Sequence, residues 1–183
     1  MLVKCLNEHI EVANKMKNLL GVIKEAGNIC IETLKEGNKI MLCGNGGSAA
    51  DAQHIAAELR GRFKKEREAL AGIALTTDTS ALSAIANDYG YELVFSRQVE
   101  AIGKKGDVLI AISTSGNSKN VINAINSAKK IGIKIITLTG KDGGEMKNLG
   151  DINIIVPSNN TPRIQEMHIM IGHMICALID DKF

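Results

Sequence analysis

Five short apolar segments alternate with longer segments of helical pattern along this chain of 183 residues. They span residues 39–43, 71–75, 107–112, 133–138 and 152–156. Each segment is continuously apolar and rich in β-branched residues, which is typical of strands that are buried on both faces. Strands that alternate with helices form parallel sheets. The pattern therefore predicts an α/β protein, a three-layer α/β/α sandwich around a five-stranded parallel sheet.

The intervals between these strands have the spacing of helices, and a helical segment at about 2–36 precedes the first strand. The predicted helices are 48–62, 79–102 with a break near Gly90, 118–131, 143–148 and 162–180. Gly21, Gly27 and Gly37 predict a break and an end in the N-terminal segment. There is no internal repeat and no linker, so a single domain over 1–183 is expected.

Composition and charge exclude several classes of function. A net charge of +2, 3% aromatic residues and no tryptophan give no indication of a nucleic-acid surface. No apolar run approaches the length of about 18 residues that spans a bilayer, and the charged first twenty residues do not fit a signal peptide. The four cysteines form no CxxC pair, which favours reduced thiols. We expect a cytoplasmic protein without a nucleic-acid or membrane partner.

The stretch from Gly44 to Glu58, GNGGSAADAQHIAAE, carries the strongest indication of chemistry. A glycine-rich turn follows a strand and opens a helix, whose first N–H groups and dipole favour an anion. His54 and Glu58 are four residues apart on that helix, so their side chains leave the same face. An anion cradle, an imidazole and a carboxylate within about three turns of helix suit a phosphorylated small molecule.

A second loop, from Ser113 to Ser118, also leaves a strand and enters a helix. Its hydroxyl groups and Gly116 make a receptor for phosphate oxygens. Serine and glycine are also ordinary residues of turns and caps, but two such loops at equivalent junctions favour ligand binding. Neither loop matches GxxxxGK[ST] or GxGxxG, the fingerprints of nucleotide-binding loops.

The last predicted helix is apolar except for a few polar residues, which indicates a buried helix. Gln165 and His173 project within roughly 80° of each other, whereas His168 projects roughly 140° from His173. A core histidine bonded to a backbone carbonyl is one interpretation of such a residue. The other is that Gln165 and His173 join His54 and Glu58 around a metal ion or a substrate; all four side chains can bind zinc, although glutamine does so rarely.

Five basic residues follow the glycine-loop helix: Arg60, Arg62, Lys64, Lys65 and Arg67. Glu66 and Glu68 offset them, and such runs are usually solvated helix ends. Arg62 is the best candidate among them for a contact with an anionic substrate.

Several motifs in register give the chain a family resemblance. GNGGSAADAQH, IANDYG at 85–90, ISTSGNS at 112–118, ITLTGKDGG at 136–144 and RIQEMH at 163–168 resemble the phosphoheptose isomerases, which are sugar isomerase (SIS) domain proteins. The resemblance implies a flavodoxin-like fold and a homotetramer with active sites between subunits. It also implies conversion of sedoheptulose 7-phosphate to D-glycero-D-manno-heptose 7-phosphate, the first step towards the activated heptose of surface polysaccharides such as lipopolysaccharide.

The resemblance assigns roles to individual positions. It places the general base on Glu58, its acid/base partner on His173, and one zinc ion per subunit on His54, Glu58, Gln165 and His173. The substrate contacts implied are Asn45, Gly46, Gly47, Glu58, Asn87, Asp88, Ser113, Thr114, Ser115, Ser118 and Gln165. Asn87 and Asp88 are also consistent with a simple helix-ending turn. Pro162 departs from the family pattern, but proline is tolerated in a first helical turn.

Two alternatives share most of these motifs. Some SIS-domain relatives bind the bacterial replication initiator instead of acting as isomerases, and their pattern lacks the carboxylate at Glu58 and the histidine at His173. The presence of both residues here favours an enzyme. The second alternative is an isomerase or a sensor of another sugar phosphate, such as a hexose phosphate, because the phosphate loops would look alike.

Overall fold

All five predicted strands are present in the computed structural model, which describes residues 1–183. They are β1 (Ile40–Cys43), β2 (Gly72–Ala74), β3 (Val108–Ser113), β4 (Lys134–Thr139) and β5 (Ile152–Ile155). They form one sheet in the order β2-β1-β3-β4-β5, and every pairing is parallel. The predicted strand boundaries are correct to within one residue.

Seven α-helices surround the sheet. They are α1 (Leu2–Lys15), α2 (Leu20–Lys35), α3 (Gly47–Arg60), α4 (Thr79–Tyr89), α5 (Ser96–Ile102), α6 (Lys119–Ile131) and α7 (Thr161–Asp180). The predicted break near Gly90 is confirmed, since this residue has φ of 96° and separates α4 from a 3₁₀ turn and α5. The segment predicted as a helix at 143–148 is a 3₁₀ helix, Gly144–Asn148.

The N-terminal segment differs from the prediction in the position of its break. The chain changes from α1 to α2 through a 3₁₀ turn at Met16–Leu19, and Gly21 lies inside α2. Gly21 is exposed, and a Cβ there would meet no atom within 4 Å, so packing does not require glycine at this position. Gly37, with φ of 76°, follows the end of α2 as expected.

Two hydrophobic cores lie on opposite faces of the sheet. Alternate residues of each strand enter them: Leu42 and Ile110 face the core formed with α2, α3 and α7, and Met41 and Leu109 face the core formed with α5 and α6. This arrangement explains why the strands are continuously apolar. The three-layer α/β/α sandwich is confirmed.

The order of the strands brings the two predicted loops together. β1 lies between β2 and β3, and the helices that follow β1 and β3 pack on opposite faces of the sheet. In open α/β sheets, such a switch point leaves a crevice at the carboxyl ends of the strands, where ligands bind.

The chain contains no helix that is long and apolar enough to cross a bilayer. All four cysteines are free thiols.

Candidate functional site

The glycine loop, residues 44–48, has a backbone that only glycine accommodates. Gly46 has φ of 56° and ψ of −120°, and it caps the N-terminus of α3. A Cβ at Gly44 would lie 2.7 Å from the Cβ of Ser48. Gly46 and Gly47 are exposed, so the first N–H groups of α3 face solvent at the crevice. This geometry fits the predicted anion cradle.

The serine loop, residues 113–118, packs against the connection between β4 and β5. The hydroxyl oxygens of Ser113 and Ser118 are 2.9 Å apart, and Ser115 Oγ accepts a hydrogen bond of 3.2 Å from Asn117 N. Gly116 has φ of 69°, and a Cβ there would collide with the carbonyl oxygen of Gly143. The loop is therefore held with its hydroxyl groups at the start of α6.

An amide pair joins the glycine loop to the first turn of α6. Asn45 Nδ2 donates to Asn120 Oδ1 and Asn120 Nδ2 donates to Asn45 Oδ1, both at 2.9 Å, and the Tyr91 hydroxyl donates to Asn45 Oδ1 at 3.1 Å. Asn120 and Tyr91 lie outside every predicted site position. The place of Asn120, two residues after Ser118, was the sequence signal for it, whereas Tyr91 had none.

These residues line a cleft of about 310 Å³ between the loops. Its lining is Asn45, Tyr91, Glu92, Ser118, Lys119 and Asn120. Two of the predicted substrate contacts, Asn45 and Ser118, are thus brought to one cavity although 73 positions separate them in the chain. The structure leaves Thr114 half-buried in the serine loop, beside Ser113.

His54, Glu58 and His173 converge on one point. His54 Nε2 lies 3.1 Å from Glu58 Oε1 and 3.3 Å from His173 Nε2, and the donor atoms of all three residues lie within 4.8 Å of one another. The Glu58 side chain is 22% exposed and that of His54 is 47% exposed, so the cluster is reachable from solvent. α3 and α7 bring these residues together from positions 119 apart in the chain.

Spacing of this kind fits a metal ion. In a tetrahedral zinc site with bonds of about 2.0–2.1 Å, two ligand atoms lie roughly 3.3–3.4 Å apart. The separations of 3.1 and 3.3 Å around His54 Nε2 are close to that value. Two imidazole nitrogens and a carboxylate oxygen are also the donor types that zinc prefers. These three residues could therefore hold a divalent ion.

The other polar residues of α7 divide between site and core. Gln165 lies against the glycine loop, where a Cβ at Gly47 would collide with its side-chain amide. His168 is fully buried, and its Nε2 lies 3.0 Å from the carbonyl oxygen of Thr139. Burial lowers the pKa of His168 to about 4, although the Thr139 carbonyl acts in the opposite direction. His168 is thus the carbonyl-bonded core histidine, and His173 is the histidine of the cluster.

A carboxyl group outside the predicted site lies one turn before His54. Burial raises the pKa of Asp51 to about 6, and the nearby His54 opposes this shift. Asp51 Oδ2 is buried and has no hydrogen-bond partner. Asp51 therefore adds a second titratable carboxyl group to α3.

Three predicted candidates lie on the surface of this chain. Asn87 and Asp88 are in the last turn of α4, where Asn87 Nδ2 donates to Asp88 Oδ1 at 2.8 Å. Arg62 donates to Glu66 at 2.9 Å, and its side chain is 64% exposed.

Pro162 is in the first turn of α7 and leaves the helix intact, as expected.

In the basic run, Arg67 differs from its neighbours. Its side chain is 2% exposed and pairs with Asp180 at 2.9 Å, so the interpretation of the run as a solvated helix end does not hold at this residue. Nothing in the residue type distinguishes Arg67 from the other basic residues, and the contact depends on Asp180 at the far end of the chain.

Comparison with known proteins defines the class of this fold and site. The model of the SIS domain family matches residues 6–140. A phosphoheptose isomerase of a Nitratiruptor species is 65% identical over 181 residues, covering 98% of this chain and 97% of its own. That of Aliarcobacter butzleri is 64% identical over 171 residues, covering 93% and 90%.

Solved structures agree with this result. The phosphoheptose isomerase structure from Neisseria gonorrhoeae superposes with a TM-score of 0.92 at 46% identity and covers 98% of this chain and 97% of its own. That from Francisella tularensis has a TM-score of 0.96 at 37% identity, with coverage of 99% and 97%. The chain belongs to the SIS-domain family and, within it, to the phosphoheptose isomerases.

Proposed function

We propose that this protein converts sedoheptulose 7-phosphate to D-glycero-D-manno-heptose 7-phosphate, the first step of nucleotide-activated heptose synthesis for bacterial surface polysaccharide. The observation that carries the proposal is the convergence of Glu58 and His173 at one point on α3 and α7. A protein that only binds the replication initiator would not need this pair. The identity of 64–65% to phosphoheptose isomerases supports the same reaction.

The phosphate group binds at the crevice between the two loops. Ser113, Thr114, Ser115 and Ser118 offer hydroxyl donors, and the N-terminus of α6 adds its dipole. Gly46 and Gly47 offer backbone N–H groups from the opposite side. The Asn45 side chain is less available to the phosphate group than its motif implies, because its amide already bonds to Asn120 and Tyr91.

The isomerisation moves a proton between C1 and C2 through an enediol. One oxygen of the Glu58 carboxylate faces His54, and this carboxylate is the group that takes the carbon proton. His173 then serves the substrate's oxygen atoms as acid and base. The two groups act on the same carbons because their donor atoms lie within 4.8 Å of each other.

Zinc is the proposed cofactor, at one ion per subunit. His54, Glu58 and His173 would hold it, and Gln165 is the proposed fourth ligand. Coordination would stabilise the anionic Glu58 and weaken it as a base, so either Glu58 exchanges between the two roles or the ion serves mainly to order the site. A bound ion would supply Lewis-acid polarisation of the substrate's carbonyl group. The two separations around His54 Nε2, which are close to tetrahedral spacing, support this assignment.

We further propose a homotetramer whose active sites lie between subunits. Leu2, Leu6 and Ile10 form an exposed apolar stripe on α1, and their exposed fractions are 84%, 59% and 47%. Such a stripe suits a contact between copies of the chain. Asn87 and Asp88 are exposed on α4, as residues that complete a neighbour's site would be. Sedimentation of a fully active monomer would contradict the shared site.

A cytoplasmic location remains a prediction.

Proton NMR of sedoheptulose 7-phosphate incubated with the protein in D₂O tests the reaction. We expect an aldoheptose 7-phosphate with deuterium at the C1/C2 carbons, since Glu58 exchanges its proton with solvent. Conversion without deuterium would keep the isomerase but favour a shielded transfer. Absence of conversion, with and without added zinc, would overturn the proposal and direct the same assay to hexose phosphates.

A further inference from the structure

We propose that residues 61–68 form a positioning segment that fixes Glu58 and His173 relative to each other, with Arg67 anchoring the backbone of Glu58 and Phe63 supporting the ring of His173. The segment connects α3 to the approach of β2 and contains neither helix nor strand. For its effect on turnover the inference rests on the proposed function, whereas its effect on metal binding does not depend on the substrate.

The Arg67 guanidinium holds the C-terminal end of α3. Its Nη2 donates to the carbonyl oxygen of Glu58 at 2.9 Å, and its Nη1 donates to that of Leu59 at 3.0 Å. These carbonyls lie in the last turn of the helix, where they have no acceptor role within α3 and where a cation is favourable. Because the side chain is 2% exposed, the contacts are shielded from water. The backbone from which the Glu58 carboxylate projects is therefore fixed by a residue nine positions later.

Asp180 attaches the same segment to the end of α7. It accepts hydrogen bonds from Lys64 N at 2.8 Å, Lys65 N at 3.0 Å and Arg67 Nε at 2.9 Å. Asp180 is the last residue of α7, two turns after His173. One buried ion pair thus links the C-terminal ends of the two helices that carry the cluster.

Phe63 contacts the cluster itself. Its ring stacks on the imidazole of His173 with the ring centroids 5.6 Å apart and the planes at 30°. His54 meets the same imidazole edge-on, with a centroid distance of 5.0 Å and an angle of 72°. The ring of His173 is therefore held between one residue of α3 and one of the segment, which limits its rotation about χ2.

Both contacts act on positions where small displacements matter. Three donor atoms must converge within a few tenths of an ångström to hold a metal ion, and substitution of residues that orient ligands typically costs about 10- to 100-fold in metal affinity or activity. Two independent contacts of one short segment reach two of the three cluster residues. General stabilisation of the fold would not require that coincidence.

The substitutions Phe63→Leu and Phe63→Tyr form a matched pair. Leucine keeps most of the apolar volume but lacks a ring face, and tyrosine keeps the ring. We expect Phe63→Leu to weaken Zn²⁺ binding and lower kcat by about 10-fold each, and Phe63→Tyr to stay within about 2-fold of wild type. Zn²⁺ affinity is measured by competition with a chromophoric chelator, KM and kcat from the isomerase assay, and folding from thermal unfolding.

Arg67→Lys tests the other contact. Lysine keeps the positive charge beside Asp180 but cannot reach the Glu58 and Leu59 carbonyls together with it. We expect a folded protein in which kcat falls by about 10-fold while KM stays within about 2-fold, since the phosphate loops are untouched. If this variant fails to fold, the Phe63 pair still decides.

The possible results separate the two proposals. A Phe63→Leu variant with wild-type Zn²⁺ affinity and wild-type kcat would overturn the positioning role. Equal losses in Phe63→Leu and Phe63→Tyr would also overturn it, because the ring face would then be irrelevant. If the wild-type protein binds Zn²⁺ but does not convert sedoheptulose 7-phosphate, the proposed reaction fails, and the affinity of the Phe63 pair still tests the positioning segment.

Discussion

The two ends of the candidate site are built in different ways. At the proposed phosphate end, short loops of glycine and serine present backbone N–H and hydroxyl groups close to the strands that carry them. At the proposed metal end, α3 and α7 bring together side chains 119 positions apart, and residues of a third segment contact them. The first end depends on local conformation, and the second depends on how helices pack.

This difference determines what a substitution does at each end. A loop hydroxyl contributes one contact to an anion that several groups share, so its loss is partial. A cluster residue serves a geometry that needs every donor atom at once. We therefore expect larger effects at the metal end, and four variants test this comparison.

Glu58→Gln should have the largest effect. Glutamine has nearly the same shape but carries neither the negative charge nor a basic oxygen, so turnover should fall by about 10²-fold or more. Circular dichroism and thermal unfolding should show an intact fold, since Glu58 is partly exposed. The rate is measured by NMR with sedoheptulose 7-phosphate. A rate within ten-fold of wild type would remove Glu58 as the base.

His168→Gln tests how α7, which carries His173, is attached to the sheet, because His168 Nε2 bonds to the carbonyl oxygen of Thr139 at the end of β4. Its pKa of about 4 in the folded protein lies below the value of about 6.5 in an unfolded chain. Between these values the unfolded chain binds a proton that the folded protein does not. The contribution of His168 to the free energy of unfolding is therefore fully present above pH 6.5 and is lost as the pH falls towards 4.

From His168 alone, the wild-type free energy of unfolding should fall by about 2 kcal/mol between pH 7 and pH 5. Glutamine can still donate to the Thr139 carbonyl but does not titrate, so the free energy of unfolding of the variant should fall less between these pH values. Urea denaturation at pH 7 and pH 5 measures the free energy of unfolding of both proteins. Parallel losses in the two proteins would show that His168 does not titrate as described.

Ser115→Ala should raise KM by about 10-fold and leave kcat nearly unchanged, because one charge-assisted hydrogen bond to phosphate is lost. Ser127→Ala is the matched control. Ser127 is on α6, the helix that the serine loop enters, but it donates to Glu100 at 2.7 Å, away from the crevice. Equal KM values for wild type and Ser115→Ala would argue against a phosphate contact at this hydroxyl.

Arg62→Ala should have the smallest effect on stability, less than about 0.5 kcal/mol, because its ion pair with Glu66 is exposed. Urea denaturation measures this change. The KM of the same variant tests the substrate contact predicted for Arg62: a value within about 2-fold of wild type would leave it as a solvated residue.

The architecture and the loops were predictable because their signals are local. Continuous apolar runs gave all five strands, and glycine-rich and serine-rich junctions gave the two loops. His54 and Glu58 followed from helical periodicity, and the separation of His168 from His173 followed from their projection around α7. The resemblance to a family supplied the pairing of α3 with α7.

The remaining features depend on contacts that no local pattern encodes. The break between α1 and α2 falls at Met16–Leu19 and not at a glycine. Tyr91 had no sequence signal, and its bond to Asn45 is recognisable only in the folded chain. Arg67 looks like any basic residue of its run until Asp180, 113 positions later, is seen beside it. Long-range side-chain pairs were thus the part of the site that the sequence alone concealed.

The position of α3 has a consequence for how the two ends of the site move. This helix begins in the glycine loop, at Gly47, and carries Glu58 eleven residues further on. At about 1.5 Å per residue, the interval is roughly 16 Å along a helix that neither stretches nor shortens. The loop and the cluster are therefore joined by a rigid connection, so a displacement at one end of α3 is carried to the other.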